Sequence, residues 1–148
     1  CPAASNIVAR IADVVGQYGG GALIIDYGHD GQSAGDTFQA VKDHRFHPPL
    51  KTPGEADLSA HVDFGALAIA ANSLSTKAYG PLAQGIFLEA LGIRERADAL
   101  MKEADAALRD EIISARARLT GSEEMGALFK VMAIGRSDMP PPPAFEIG

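Results

Sequence analysis

The densest run of side chains suited to chemistry is Asp26-Tyr27-Gly28-His29, continued by Asp30-Gly31. It follows Ala22-Leu23-Ile24-Ile25, a short uninterrupted apolar stretch behind glycines, which reads as a buried parallel strand. In doubly wound sheets, ligands sit beyond the carboxyl ends of such strands. An acid and an imidazole there suit proton transfer, and Gly28 would let a ligand approach the backbone. The plain alternative is a turn held by Asx-type hydrogen bonds. A second group, Glu55, Asp57, His61 and Asp63, offers carboxylates that could grip a guanidinium in a bidentate fashion. Its plain alternative makes Asp63 a helix cap and the others solvated loop charges.

His29, His44, His47 and His61 lie within one third of the chain. With Asp26, Asp36 and Asp57 they raise a metal-dependent hydrolase as a rival reading. No H-E-x-x-H motif occurs, and Pro48 and Pro49 beside His47 deny a rigid helical pair, so no metal ligands are assigned. Gly19-Gly20-Gly21 precedes a strand, which is the wrong order for a phosphate cradle. No G-x-S-x-G elbow is present.

The elements that must position these residues follow from periodicity. Ile7, Val8, Ile11, Val14 and Val15 predict an amphipathic helix capped by Ser5 or Asn6. Residues 32–62 carry few periodic signals beyond a short strand at Thr37–Val41, and Pro48, Pro49 and Pro53 exclude helix from His44 to Gly54. Asp63 caps a helix that is apolar on almost every face and so should be deeply buried. Leu74–Tyr79 reads as a strand ended by Gly80-Pro81, Gln84–Leu91 as a helix with Gly92 at its end, and Arg94–Leu119 as one helix or two. In that last stretch Asp98 with Lys102, and Asp105 with Arg109, are spaced for ion pairs. Phe129–Gly135 is a second strong strand, and the Pro140–Pro143 tail should lie extended on the surface. Three core strands interleaved with helices give an α/β class, but a buried strand needs neighbours on both sides. Further sheet strands are therefore expected from upstream sequence or another chain.

Composition sets the outer bounds. The chain has 148 residues, 47% hydrophobic and 22% charged, the size and make-up of one domain. A net charge of −6 without a basic stripe argues against nucleic acid as partner. The longest uncharged apolar stretch, Phe64 to Thr76, falls short of the ~20 residues that span a bilayer. Cys1 is the only cysteine, so no internal disulfide forms. A first residue other than Met suggests processing or excision at this end.

Three long runs are specific: GGALIIDYGHDG, GDTFQAVKDHRFHPPLKTPGEADLSAHVDFGALA and GPLAQGIFLEALGI, with MGALFKVMAIGR closing the set. From Gly20 to about Arg136 they resemble the MidA-like family of S-adenosylmethionine-dependent methyltransferases. Its eukaryotic members are mitochondrial arginine methyltransferases that assist respiratory complex I assembly. The resemblance implies the carboxyl-terminal part of a class I (Rossmann-like) methyltransferase sheet, as one portion spanning 1–148. Residues 32–62 would be a family-specific insertion and 137–148 a proline-rich tail. Leu23–Asp26, Leu74–Tyr79 and Phe129–Gly135 would be its fifth, sixth and antiparallel seventh strands. The family's glycine-rich cofactor loop and its asparagine-glutamate motif do not occur here, so S-adenosylmethionine would be held mainly by upstream sequence. If the acceptor is arginine, Asp26, His29, Asp57, His61 and Asp63 are the implied catalytic set, with Tyr27, Gly28 and Glu55 on the substrate side. The implied partners are a protein substrate, such as a complex I subunit, and the upstream half of the same fold. The implied location is the cytoplasm of a bacterium or the mitochondrial matrix of a eukaryote. A non-catalytic assembly module on the same scaffold is a second rival.

Overall fold

The computed structural model describes residues 1–31 and 36–146. Helix α1 (Pro2–Tyr18) leads into strand β1 (Gly21–His29). A small sheet follows, made of β2 (Gln39–Lys42), β3 (Arg45–His47) and β4 (Asp57–Ser59) in the order β3-β2-β4. The chain then returns through β5 (Val62–Asp63) and α2 (Phe64–Ala71) to β6 (Thr76–Ala83). Helices α3 (Gln84–Ala90), α4 (Ile93–Met101), α5 (Ala106–Thr120) and α6 (Met125–Leu128) precede the last strand, β7 (Phe129–Arg136). The main sheet is mixed, in the order β5-β1-β7-β6, with β7 antiparallel to both of its neighbours.

Strand β7 is the centre of the core because both of its faces are covered. Met132 and Ile134 join Phe64, Leu67 and Ala71 of α2 and Val8 and Ala12 of α1. Val131 and Ala133 point the other way, to Tyr79, Phe87 and Phe145. Burial on both faces explains the continuous apolar run at this strand.

Several expectations change. Strand β1 is longer than its apolar run, reaching His29, and its main partner is antiparallel β7; the parallel pairing, to β5, covers only Gly28 and His29. Its burial alternates rather than being complete: Leu23 and Ile25 remain 51% and 46% exposed. Helix α1 begins at Pro2 with Cys1 at the N-cap, because proline suits the first turn, whose amides have no intrahelical partners. Helix α2 is not buried all round, since it packs through Phe64, Leu67 and Ala71 and leaves Ile69 79% exposed. Strand β6 passes through Gly80-Pro81, whose peptide bond is cis, by a bulge between Tyr79 and Leu82. A proline is accommodated there because β6 is an edge strand.

The 94–119 stretch is two helices. Asp105 caps the second by accepting the Leu108 amide at 2.9 Å, and the Arg109 guanidinium donates to the Met101 carbonyl at 3.0 Å instead of pairing with Asp105. Gly92 adopts the left-handed conformation expected after α3. The tail does more than lie extended. A turn joins the Phe145 amide to the Pro142 carbonyl at 3.0 Å and sets the Phe145 ring 5.6 Å from that of Phe87, in the second core.

Candidate functional site

The carboxyl end of β1 gathers most of the residues singled out by sequence. Gly28 lies opposite Val62, and His29 opposite Asp63, in the parallel β1–β5 pair. The Tyr27 ring meets the His61 ring edge-on at 5.8 Å and the Phe129 ring at 5.7 Å and 90°. Tyr27, His29, His61 and Asp63 therefore stand around one short stretch of sheet, all half-buried.

Strand geometry divides the group. Because β1 continues as a strand through His29, successive side chains alternate faces. Tyr27 and His29 share one face; Asp26 and Gly28 share the other, which looks toward the α1 and α2 side. Asp26 and His29 are thus not a side-by-side acid–imidazole pair. One Asp26 oxygen accepts the Tyr27 amide at 2.8 Å, the local hydrogen bond of the plain reading.

Gly28 is explained by close packing. A Cβ there would stand 2.3 Å from the Val62 carbonyl oxygen and 2.9 Å from the Phe64 ring. The space that a ligand would have used on that side is filled by the protein itself. Gly65 has a similar origin, since its Cβ would lie 2.6 Å from the Asp30 carbonyl oxygen.

The two imidazoles are differently committed. His29 Nδ1 accepts the Gly31 amide at 3.1 Å, so the neutral ring carries its proton on Nε2 and presents a donor. His61 is held through its backbone, whose amide donates to Thr37 Oγ1 at 3.1 Å, and through its ring contact with Tyr27. Asp63 caps α2 by accepting the Ala66 amide at 3.0 Å, as its place before an apolar helix implied.

Glu55 and Asp57 lie elsewhere, around the β3-β2-β4 sheet. Glu55 is engaged by Lys42 Nζ at 2.5 Å, and Asp57 is exposed on β4 opposite Val41. Among the described residues no three His, Cys, Asp or Glu side chains converge as a metal site would need. His47, one of the clustered histidines, instead meets the Lys51 carbonyl and the Thr52 hydroxyl, each at 3.1 Å. Sequence reading missed Thr37 and Phe129. Each was read only as the first residue of a strand.

Comparison with known proteins identifies the family. Residues 1–82 match the family described as "Putative S-adenosyl-L-methionine-dependent methyltransferase". The chain is 38% identical over 134 residues to the mitochondrial protein arginine methyltransferase NDUFAF7 of Danio rerio, covering 90% of this chain and 31% of that protein. It is 36% identical over 135 residues to the Homo sapiens protein of that name, covering 90% of this chain and 30% of the relative. The chain thus spans about a third of the length of the curated relatives it matches.

Among solved structures, an uncharacterized protein from Burkholderia thailandensis superposes with a TM-score of 0.73 at 31% identity, over 95% of this chain and 40% of that one. A second member of its superfamily, from the same organism and bound to S-adenosyl-homocysteine, gives 0.67 at 29% identity, over 95% and 38%. The β1-β7-β6 arrangement with an antiparallel β7 is the order expected for the fifth, seventh and sixth strands of a class I sheet. No helix among the described residues is long and apolar enough to cross a membrane. The match over residues 1–82, more than half of the chain, places it in a family: this chain belongs to the S-adenosyl-L-methionine-dependent methyltransferase family of that description.

Proposed function

We propose that this chain forms the acceptor side of an S-adenosylmethionine-dependent protein methyltransferase that modifies arginine. The observation that carries the reading is the meeting of Tyr27, His29, His61 and Asp63 at the end of β1, inside the stretch that matches the family. The cofactor supplies an electrophilic methyl group on a cationic sulfonium. Transfer to a guanidinium nitrogen then needs alignment first and loss of one proton second. Asp26 and Asp63 each have a carboxylate oxygen beyond the one bound to an amide, which suits a cationic acceptor. His61 takes the proton, His29 donates from Nε2, and Tyr27 walls the acceptor channel. Gly28 acts indirectly, by letting β5 close against β1 and bring Asp63 beside His29. Glu55 and Asp57 serve the acceptor at a distance, from the small sheet.

No residue of this chain is assigned to the cofactor. The edge of β1 beyond its pairing with β5 is free of a strand over Gly21–Tyr27 among the described residues. Leu23 and Ile25 on β1 and Ile7 and Val14 on α1 remain exposed beside it. An uncovered edge with apolar flanks supports docking of further strands that hold S-adenosylmethionine, so residues 1–148 act as one portion of a larger domain. Residues 32–62 then serve as the inserted substrate-side element and 137–148 as the tail that closes the second core. In a eukaryote the setting is the mitochondrial matrix and the acceptor a respiratory complex I subunit; in a bacterium the setting is the cytoplasm.

The test is transfer of radiolabelled methyl from S-adenosylmethionine by the intact protein to proteins of a cell extract, followed by acid hydrolysis. Labelled methylarginine supports the reading. Label on another residue type, or transfer no faster than without enzyme, contradicts it.

A further inference from the structure

We infer that the outer edge of β4 is a docking strand for the protein substrate, on which an extended basic segment near the target arginine adds as a further strand. The inference rests on the methyltransferase reading and names how that substrate is held. The small sheet has two edges, β3 and β4. Natural sheets blunt exposed edges with charged residues, lysine above all, and with prolines. Strand β3 does so, with Arg45 inside it and Pro48-Pro49 directly after it. Strand β4 carries no lysine, arginine or proline: it presents the single acid Asp57 beside Leu58, which is 57% exposed, and no strand lies beyond it among the described residues.

Pairing with β2 sets Asp57 beside Val41 and Leu58 beside Ala40, so the two side chains face opposite ways. An added strand would place one residue opposite Asp57 and the next opposite Leu58. The cross-strand partners that suit them are a lysine or arginine and an apolar side chain. Lys42 already engages Glu55, which leaves Asp57 as the exposed carboxylate on this edge. The edge also leads directly to the site. Ser59 is three residues before Val62, whose partner is Gly28. At ~3.3 Å per residue that gap is at most about 10 Å, so an arginine three or four residues from the docked segment would reach the end of β1.

The experiment uses the intact protein and a labelled 14-residue peptide with one arginine, flanked four residues away by a lysine–leucine–lysine stretch. Fluorescence anisotropy should show binding that Leu58→Lys weakens at least tenfold, with affinity for S-adenosylmethionine unchanged as evidence of folding. Asp57→Lys should weaken it similarly, and replacing the peptide lysines by glutamates should restore binding to that variant. Methylating the backbone amides of the flanking stretch should abolish binding, because strand addition uses main-chain hydrogen bonds. Binding indifferent to Leu58→Lys and to amide methylation overturns the inference. So does sedimentation showing that the edge pairs with a second copy instead of the peptide. Peptide binding with these dependences, together with no labelled methylarginine in the extract assay, supports the dock and refutes the arginine methyltransferase reading.

Discussion

Gly28→Ala is the substitution whose outcome the geometry fixes most narrowly. The added Cβ would start 2.3 Å from the Val62 carbonyl oxygen, and contacts below 3.0 Å are essentially never seen. Strand β5 must therefore retreat by about 0.7 Å, the difference between those distances. The obstacle is backbone, so no rotamer change relieves it. The second obstacle is the ring of Phe64, which is fully buried in the core against α1 and β7. Overpacking of this kind costs ~1–3 kcal/mol, and a backbone obstacle puts it in the upper half of that range. With a few degrees of Tm per kcal/mol for a protein of this size or larger, the melting temperature should fall by roughly 4–10 °C. The β1–β5 pair holds only two registered positions, so moving Val62 also moves Asp63 away from His29, and methyl transfer should fall with stability. Thermal melts followed by circular dichroism measure the first effect. Gly135→Ala is the control, because its Cβ would meet only the Tyr79 ring at an ordinary 3.5 Å. If Gly28→Ala melts within a degree or two of the unmodified protein, the close strand contact is wrong and the glycine serves a ligand instead.

Other outcomes follow from single contacts. Asp63→Ala removes the cap of α2 and should cost ~1 kcal/mol, whereas Asp63→Asn keeps a capping oxygen and should melt nearly normally; if the carboxylate serves the acceptor, both variants lose methyl transfer. Phe145→Ala empties a site beside Phe87, Tyr79 and Val131 and should cost ~3 kcal/mol by denaturant titration, whereas a tail merely lying on the surface would cost almost nothing. The Asp138 carboxyl is held below its ordinary range, first by hydrogen bonds from the Arg136 guanidinium at 2.8 and 2.6 Å. A lowered folded-state pKa stabilises above the unfolded pKa and is lost as pH falls through the folded value. The small Tm difference between the unmodified protein and Asp138→Asn should thus be present at pH 7 and vanish in strong acid; a difference that grows on acidification would reverse that sign.

Legibility in the sequence tracked how local the determining physics was. The Asp63 cap, the Gly92 turn and the β7 strand were readable because each depends on a few adjacent residues or on one apolar run. The place of 26–29 beyond an apolar strand was readable, whereas their grouping with 61 and 63 was implied only by the family resemblance, because it depends on the pairing of β1 with β5. The division of Asp26 from His29 was not, because it requires knowing that β1 runs on through His29 and alternates faces there. Of the small sheet only β2 was signalled, by the strand read at Thr37–Val41; β3 and β4 stayed hidden because three residues are too few for an alternation to register. Burial of α2 was overestimated because apolar composition does not say which face has a partner, and Ile69 has little covering it. The passage of β6 through Gly80-Pro81 was missed because a bulge on an edge strand absorbs what usually ends a strand.

The most direct test of the central claim is steady-state methyl transfer by the intact protein carrying His61→Ala, with S-adenosylmethionine affinity measured in parallel by calorimetry. If the end of β1 is the acceptor side and His61 takes the proton, kcat should fall by ~100-fold or more while the cofactor dissociation constant stays within threefold. Unchanged transfer with unchanged cofactor binding would contradict the assignment of the acceptor site to this end of the sheet.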